Sequence, residues 1–212
     1  LNLHNFTHGI EAGGLSSTKP ANTSWSATDI SIDGNDEEFG SGIHTLDSSG
    51  EFNLRNITIN NTYFGVYVLG TTDAWQAQNL TINSPGGNAV SGFQSTGAWT
   101  VEDTVIRNAE DEAIFAYDTE GNWTVKSTKI VNTTDEGINA GISSGDWEIL
   151  NTTIRNPRED AINAGKASGE ATIQDTTAVS SENGIDFEKS GGQLVVNNLT
   201  VRDTEGDGID AD

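Results

Sequence analysis

Residues 132–141 read NTTDEGINAG, and residues 156–165, which lie 24 positions later, read NPREDAINAG. Residues 108–117, which lie 24 positions earlier, read NAEDEAIFAY, so an acidic pair precedes a small and an aliphatic residue three times in phase. An interval kept this closely predicts a structural repeat, because a lone site has no reason to recur. The same interval is therefore expected along the rest of the chain.

The repeat extends along most of the 212 residues. A small residue followed by an aliphatic one marks nine registers of the repeat, and after a first interval of 33 the remaining intervals are 23 or 24. These pairs begin at Gly9, Gly42, Gly65, Ala89, Ala113, Gly137, Ala161, Gly184 and Gly208. A mostly aromatic column keeps the same interval, and it includes Trp75, Trp99, Trp123 and Trp147. Two markers in phase are typical of a solenoid.

Each unit contains three short alternating runs, such as residues 99–101, 104–106 and 114–116, separated by Asn, Asp, Ser or Gly. Runs of three to five residues with a period of two predict strands, and they are too short for helices. Three strands and three turns per unit form one coil of a parallel β-helix, with coils stacked about 4.8 Å apart. The Trp column is expected in the core, as are two Ile columns: Ile59, Ile82, Ile106, Ile130 and Ile154, and Ile114, Ile138, Ile162, Ile185 and Ile209.

This pattern resembles the right-handed parallel β-helix repeat family, whose members include pectate lyases, polygalacturonases, phage tailspikes and archaeal surface proteins. The resemblance covers nearly the whole chain. It implies an all-β, right-handed solenoid of about nine coils of about 24 residues, with three short strands per coil. It is specific for the fold and much less specific for an activity.

The chain is predicted to be one solenoid domain spanning residues 1–212, with loop insertions at 13–24 and 34–42. The sequence begins and ends in mid-coil, without the atypical repeats that usually cap a solenoid. We therefore expect a longer native chain. The expected partners are further β-helix coils or identical subunits that stack on the open ends.

The charge balance excludes several partners. The chain has 32 acidic and 10 basic residues, a net charge of −22, so nucleic acid is not expected to bind. No run of about 18 apolar residues is present, so membrane insertion is not expected either. An acidic surface of this kind is tolerated in molar salt, where the Debye length falls to about 3 Å. It therefore favours a secreted or surface protein from a halophilic archaeon or its virus.

Two columns of oxygen-bearing side chains form an acidic stripe along the later coils, and it is expected to face solvent. Calcium prefers hard oxygen ligands, so it is the cofactor that this stripe would hold. The candidate ligands are Glu136, Asp160, Asn139, Asn163, Asp186 and Asp210. A solvated acidic surface without a ligand and a sugar-binding or catalytic cleft remain as alternatives. A metal site at His4, His8 and His44 is weaker, since their spacing suits a helix and this segment is predicted as strand and turn.

Three arginines, Arg107, Arg155 and Arg202, occupy equivalent outward positions, and their repetition favours solvated ion pairs over a catalytic base. Nine Asn-x-Ser/Thr sequons are present. The sequon column Asn56, Asn79, Asn151 and Asn198 is expected to form a hydrogen-bonded turn ladder. The better glycosylation acceptors are Asn22, Asn60 and Asn122.

The regular repeat favours a non-enzymatic function. A catalytic β-helix is expected to interrupt its repeat with long loops and irreplaceable charged residues, and the charged sets typical of polygalacturonases are absent. We expect a structural or adhesive protein at the cell surface or outside the cell, forming a rod segment of a fibre, surface layer or appendage that contacts glycans. The alternative is a polysaccharide lyase or glycoside hydrolase that acts on an acidic polysaccharide. No catalytic residue is assigned.

Overall fold

The computed structural model describes residues 1–4, 8–13, 24–34 and 40–211. These residues form strands and turns, and they contain no helix that could cross a membrane. The early strands are β1 (Asn2–His4), β2 (His8–Gly13), β3 (Trp25–Asp33), β4 (Ser41–Leu46), β5 (Phe52–Asn60), β6 (Phe64–Leu69), β7 (Trp75–Asn83) and β8 (Val90–Ser91). Residues 14–23 and 35–39 of the two predicted insertions lie outside the described residues, whereas residue 13 ends β2 and residues 41–42 begin β4.

From β9 onwards every coil contributes three strands in the same order. They are β9 (Trp99–Glu102), β10 (Val105–Ala109), β11 (Ile114–Phe115), β12 (Trp123–Lys126), β13 (Lys129–Thr133), β14 (Ile138–Asn139), β15 (Trp147–Leu150), β16 (Thr153–Pro157), β17 (Ile162–Asn163), β18 (Ala171–Gln174), β19 (Thr177–Val179), β20 (Ile185–Asp186), β21 (Leu194–Asn197), β22 (Thr200–Arg202) and β23 (Ile209–Asp210).

All strand pairs are parallel, and each strand pairs with its equivalent one coil away. Ile114, for example, pairs with Val90 on one side and Ile138 on the other. One sheet has nine strands in the order β2-β4-β6-β8-β11-β14-β17-β20-β23, and the remaining strands form a bent 14-stranded sheet. Nine successive strands of one sheet are connected by eight turns of the solenoid, and the sequence predicted about nine coils. The predicted all-β parallel β-helix is confirmed.

The bend in the larger sheet is made by one left-handed residue per coil. Asp29, Asn56 and Asn79 have φ angles of 57°, 55° and 55°, and the equivalent residues of later coils are also left-handed. Asn and Asp adopt this conformation at low cost because their short polar side chains form local hydrogen bonds. In the first coils the chain stays in strand geometry through the bend, so β3, β5 and β7 each join two of the predicted short strands.

The predicted asparagine ladder stands at this bend. Asn79 Nδ2 donates to Asn56 Oδ1 at 2.9 Å, and Asn56 Nδ2 donates to Asp29 Oδ1 at 2.9 Å. In later coils Asn151 donates to Ser127 and Asn198 donates to Asp175. Each side chain therefore satisfies a polar group of the neighbouring coil and fixes the stacking register.

The core is built from stacked equivalents. The indole rings of Trp75, Trp99, Trp123 and Trp147 lie nearly parallel with centroids 5.0–5.2 Å apart, and each residue is at most 2 % exposed. Their N–H groups find no acceptor in the described part of the chain, which is a cost of stacking these rings. Both predicted Ile columns are buried, except that Ile209 in the last described coil is 43 % exposed, where no described coil covers it.

Trp123→Ala is expected to lower the free energy of unfolding by about 3–5 kcal/mol, because it removes a fully buried ring from the middle of the stack. Thr124→Ala, the outward neighbour on the same strand, is the matched control and is expected to change it by less than about 0.5 kcal/mol. Urea unfolding followed by far-UV circular dichroism measures both. Equal losses for the two variants would contradict a stack that carries the core.

Candidate functional site

Acidic pairs precede a strand of the nine-stranded sheet in three successive coils. The pairs are residues 111–112, 135–136 and 159–160, which lead into β11, β14 and β17. Because these strands pair in register, the pairs stack along the solenoid axis. The inner acid column is Glu112, Glu136 and Asp160. The outer acid column is Asp111, Asp135 and Glu159, and it continues to Glu182 in the next coil.

The inner acid column is buried, so the prediction that Glu136 and Asp160 face solvent is wrong. Glu112, Glu136 and Asp160 are 7 %, 6 % and 9 % exposed. Asn139 Nδ2 donates to Glu112 Oε1 at 3.1 Å, and Asn163 Nδ2 donates to Glu136 Oε1 at 2.8 Å. The coil that follows therefore covers each glutamate. The sequence carried a signal for this, because Glu112 has the same parity as the inward residue Ile114.

Burial changes the charge of this column. It raises the pKa of the Glu112 carboxyl to about 8, and the negative charges of Asp111 and Glu136 add to the shift. Burial also raises the pKa of Glu136 to about 7, with a contribution from Asp135. Burial likewise raises the pKa of Asp160. Near neutral pH the column is therefore partly protonated, and it carries less negative charge than its composition suggests.

The outer acid column brings carboxylates within reach of one cation. Ligand oxygens of Asp111, Glu112 and Asp135 lie within 4.8 Å of one another, and so do those of Asp135, Glu136 and Glu159. Three carboxylates supply about half of the six to eight oxygens that calcium takes. Of the six predicted ligands, only Glu136 belongs to either group. The other four members, Asp111, Glu112, Asp135 and Glu159, were not among the predicted ligands, although the repeated acidic pairs in the sequence indicate them.

The other predicted ligands lie mainly on the outer face of the nine-stranded sheet. Asn139, Asn163, Asp186 and Asp210 stack in register there. The side-chain oxygens of Asn139 and Asn163 each accept a hydrogen bond at 3.0 Å from the backbone N–H two residues later, and Asp186 Oδ1 accepts one at 2.8 Å. These oxygens hold local turns, and cation binding by this column stays a prediction.

Half-buried aromatic side chains cover the same sheet in the earlier coils. The Tyr67 ring packs 4.6 Å from Phe64 and 5.3 Å from His44, and the Phe115 and Tyr117 rings lie 5.5 Å apart with an angle of 4°. The aromatic face comprises His8, His44, Phe64, Tyr67, Phe93, Phe115 and Tyr117. The sequence did not suggest it, because its members belong to several different columns.

The aromatic face ends at a cleft of about 300 Å³. Gly141 forms part of its floor, at the position that Tyr117 occupies one coil earlier. A Cβ atom on Gly141 would lie 3.1 Å from the Tyr117 ring, so glycine is what lets the ring lean over the next coil. The other lining residues include Asn139, Ile142, Asn163, Gly165, Lys166 and Asp186. Among the described residues, Lys166 makes no ion pair.

Ile142 stands at the rim of the cleft in a strained conformation. Its φ angle is 50°, and its side chain is 38 % exposed. The equivalent residues Asp118 and Lys166 are also left-handed, but neither is β-branched. A β-branched residue in this region is a genuine outlier, and such strain occurs most often at functional sites.

The predicted ion pairs of the outward arginines are not formed in the described part of the chain, so that interpretation is wrong there. Arg107 instead donates to Asn83 Oδ1 at 3.4 Å. The ion pairs present are His4 with Asp33, Lys126 with Glu102 and Lys189 with Glu188. The His8 and His44 rings pack against each other at 4.6 Å, and no described group of three metal-binding side chains includes a histidine.

The candidate glycosylation acceptors differ in accessibility. Asn122 is exposed, and its Oδ1 accepts a backbone hydrogen bond from Asp146. Asn60 is half-buried, and its Oδ1 accepts from Asn83 Nδ2 at 2.8 Å. Asn22 lies outside the described residues. Modification at these positions stays a prediction.

A comparison with protein families decides the classification. The family model for the right-handed β-helix region matches residues 41–201, which is most of the chain and includes both acid columns and the cleft. The chain belongs to the right-handed β-helix family. No curated protein sequence is significantly similar to it. The β-helix family is compatible with structural, adhesive and polysaccharide-acting functions, and it does not distinguish among them.

The buried glutamates predict a pH dependence of stability. The folded-state pKa of Glu112 is about 8, above its usual value of 4.5, so the folded state holds this proton more tightly. The contribution to the free energy of unfolding is therefore largest below about pH 4.5 and is lost as the pH rises towards about 8. Glu112→Gln keeps the acceptor for Asn139 and is expected to flatten this decline between pH 5 and pH 8 in thermal melts at constant salt.

Glu110→Gln is the matched control, because Glu110 lies in the same turn and is exposed. Its melting temperature is expected to follow the wild-type profile apart from a uniform offset. Parallel profiles for Glu112→Gln and the wild type would contradict a protonated Glu112 in the folded protein.

Proposed function

We propose that this β-helix is a non-enzymatic glycan-binding protein, which forms the adhesive part of a rod outside the cell. The cleft beside Tyr117 and Ile142 carries the proposal, since it is the place where aromatic, amide and charged side chains converge on an open surface. Ligand sites commonly combine apolar walls with a few placed polar groups, and their volumes start near 300 Å³.

The chemistry of the cleft suits a sugar ring. The Tyr117 ring and the Ile142 side chain offer apolar surface to the C–H groups of a pyranose. Lys166 offers a cation and Asp186 a carboxylate to the hydroxyl groups. The aromatic face extends this surface along the solenoid axis, so a linear glycan could contact several coils in succession.

The charge of the protein favours a neutral glycan. A net charge of −22 repels polyanions, and the outer acid column stands beside the strands that carry the cleft. The same charge supports a secreted or surface protein of a halophilic archaeon or its virus, because salt screens the repulsion. The regular coils support a rod segment of a fibre, surface layer or appendage.

A glycoside hydrolase or polysaccharide lyase is the second candidate, and one observation favours it. The raised pKa values of Glu112 and Glu136 would keep a proton available near neutral pH, as a general acid requires. Both carboxyls are buried beneath asparagine side chains, however, so a substrate would reach them only after rearrangement. Binding without cleavage is therefore the better supported function.

Tyr117→Ala is expected to weaken binding of a neutral polysaccharide about tenfold or more, since it removes the aromatic wall of the cleft. Leu150→Ala on the outer face of the other sheet is the matched control and is expected to leave affinity unchanged. Affinity electrophoresis against a panel of neutral and acidic polysaccharides measures both. Release of reducing or unsaturated ends by the wild type would overturn the non-enzymatic function.

Ile142→Asn separates a binding role from a structural one. Asn tolerates the left-handed conformation, so the variant is expected to gain about 1 kcal/mol in free energy of unfolding. It also loses the apolar rim of the cleft, so the same variant is expected to bind the polysaccharide several-fold more weakly. Urea unfolding and affinity electrophoresis measure the two effects. A variant that is more stable and binds as well as wild type would remove Ile142 from the site.

A further inference from the structure

Four of the ten basic residues of this acidic chain lie on one face of the larger sheet. Arg107, Arg155 and Arg202 alternate with Val131 and Val179 in one register of the adjacent strands β10, β13, β16, β19 and β22. Lys129 stands on β13, two residues before Val131. The basic stripe is defined as Arg107, Lys129, Arg155 and Arg202, and all four are exposed.

The basic stripe is unpaired in the part of the chain that the structure describes. None of its four residues forms an ion pair there, although acidic residues outnumber basic ones by 32 to 10. The half-buried Val131 and Val179 place apolar surface between the guanidinium groups. Arginine together with apolar surface is typical of protein interfaces, whereas a polyanion needs only the charges.

The outer acid column offers a complement with the same axial period. Asp111, Asp135, Glu159 and Glu182 stand on four successive coils, at intervals of about 4.8 Å. Arginines recur every second coil, at about twice that interval. Two copies of one β-helix share this period, so their charges stay in step along the whole contact. An unrelated partner would have to match the period by coincidence.

The two stripes lie side by side, because Glu159 follows Arg155 by only four positions, and Asp111 follows Arg107 by the same number. A two-fold axis parallel to the solenoid axis therefore places the basic stripe of one copy opposite the outer acid column of the other, and the reverse as well. This arrangement leaves the coils at one level, so that Arg155 faces the second copy's Glu159. The contact uses none of the residues that line the cleft.

We propose that the chain pairs laterally with a second copy of itself, through the basic stripe of each copy and the outer acid column of the other. Two chains of net charge −22 repel each other at long range, but salt of about 0.15 M confines that repulsion to about 8 Å. Arginine and carboxylate meet well inside this distance and bind in a directional, bidentate manner. Lateral pairing is independent of glycan binding.

The test uses two charge-reversal variants, Arg155→Glu and Glu159→Arg, in sedimentation equilibrium at about 0.15 M salt. The wild type is expected to form a species of twice 22.5 kDa. Each variant alone places two like-charged contacts in its dimer, so its association is expected to weaken about 100-fold. An equimolar mixture of the two variants restores both contacts in a heterodimer, and it is expected to associate as tightly as the wild type.

Lys126→Glu is the matched control, since it reverses a charge on a different strand of the same coil as Lys129. It is expected to associate like the wild type. A wild type that stays monomeric at every salt concentration, or a mixture of variants that stays monomeric, would overturn lateral pairing. A wild type that stays monomeric and binds heparin through its basic stripe would also overturn lateral pairing, and it would indicate a polyanionic partner instead. Polysaccharide affinity of the monomeric variants reports on the cleft separately.

Discussion

Every coil of this β-helix is stacked on an equivalent coil in parallel register, and this constraint governs the rest of the structure. From β6 onwards, a residue lies on the residue 23 or 24 positions before it, as Ile114 lies on Val90. Where equivalent positions carry the same residue type, their side chains therefore pack against each other. Rings gain contact when they stack in this way, whereas carboxylates in the same geometry repel one another. Repeating one residue type along a column therefore stabilises the stack at some positions and destabilises it at others.

The chain deals with repeated polar residues in two ways. At the bend, asparagine carries both a donor and an acceptor, so a column such as Asn56 and Asn79 satisfies itself. A carboxylate has only acceptors, and Glu112 and Glu136 cannot satisfy each other. They are relieved by amides from another column and by a raised pKa, which removes charge from the stack. The asparagine ladder and the inner acid column are thus two ways of accommodating the same polar residue type on successive coils.

The features that the sequence predicted correctly are those that stay within a column. Trp123 and Ile138 share their environment with residues 24 positions away, so periodicity alone identifies them as core. The features that it missed depend on contacts between columns. The hydrogen bond from Asn139 to Glu112 joins residues 27 apart, and it covers a carboxylate of the acidic stripe, which was expected to face solvent. Within the described residues Arg155 forms no ion pair. This likewise depends on which acids lie within reach, and spacing along the chain does not reveal it.

In a solenoid, a column that repeats one residue type is explained by stacking alone. A functional site is therefore expected where the residue type in a column changes from one coil to the next. Two columns change between the coils of β11 and β14, where Phe115 gives way to Asn139 and Tyr117 gives way to Gly141. The loss of one ring opens the floor of the cleft, and the last ring before it becomes the wall. Ile142 adds strain at the same step, where neighbouring coils use residues without a branched Cβ. The proposed glycan, by filling the cleft, would account for all three departures from the repeat.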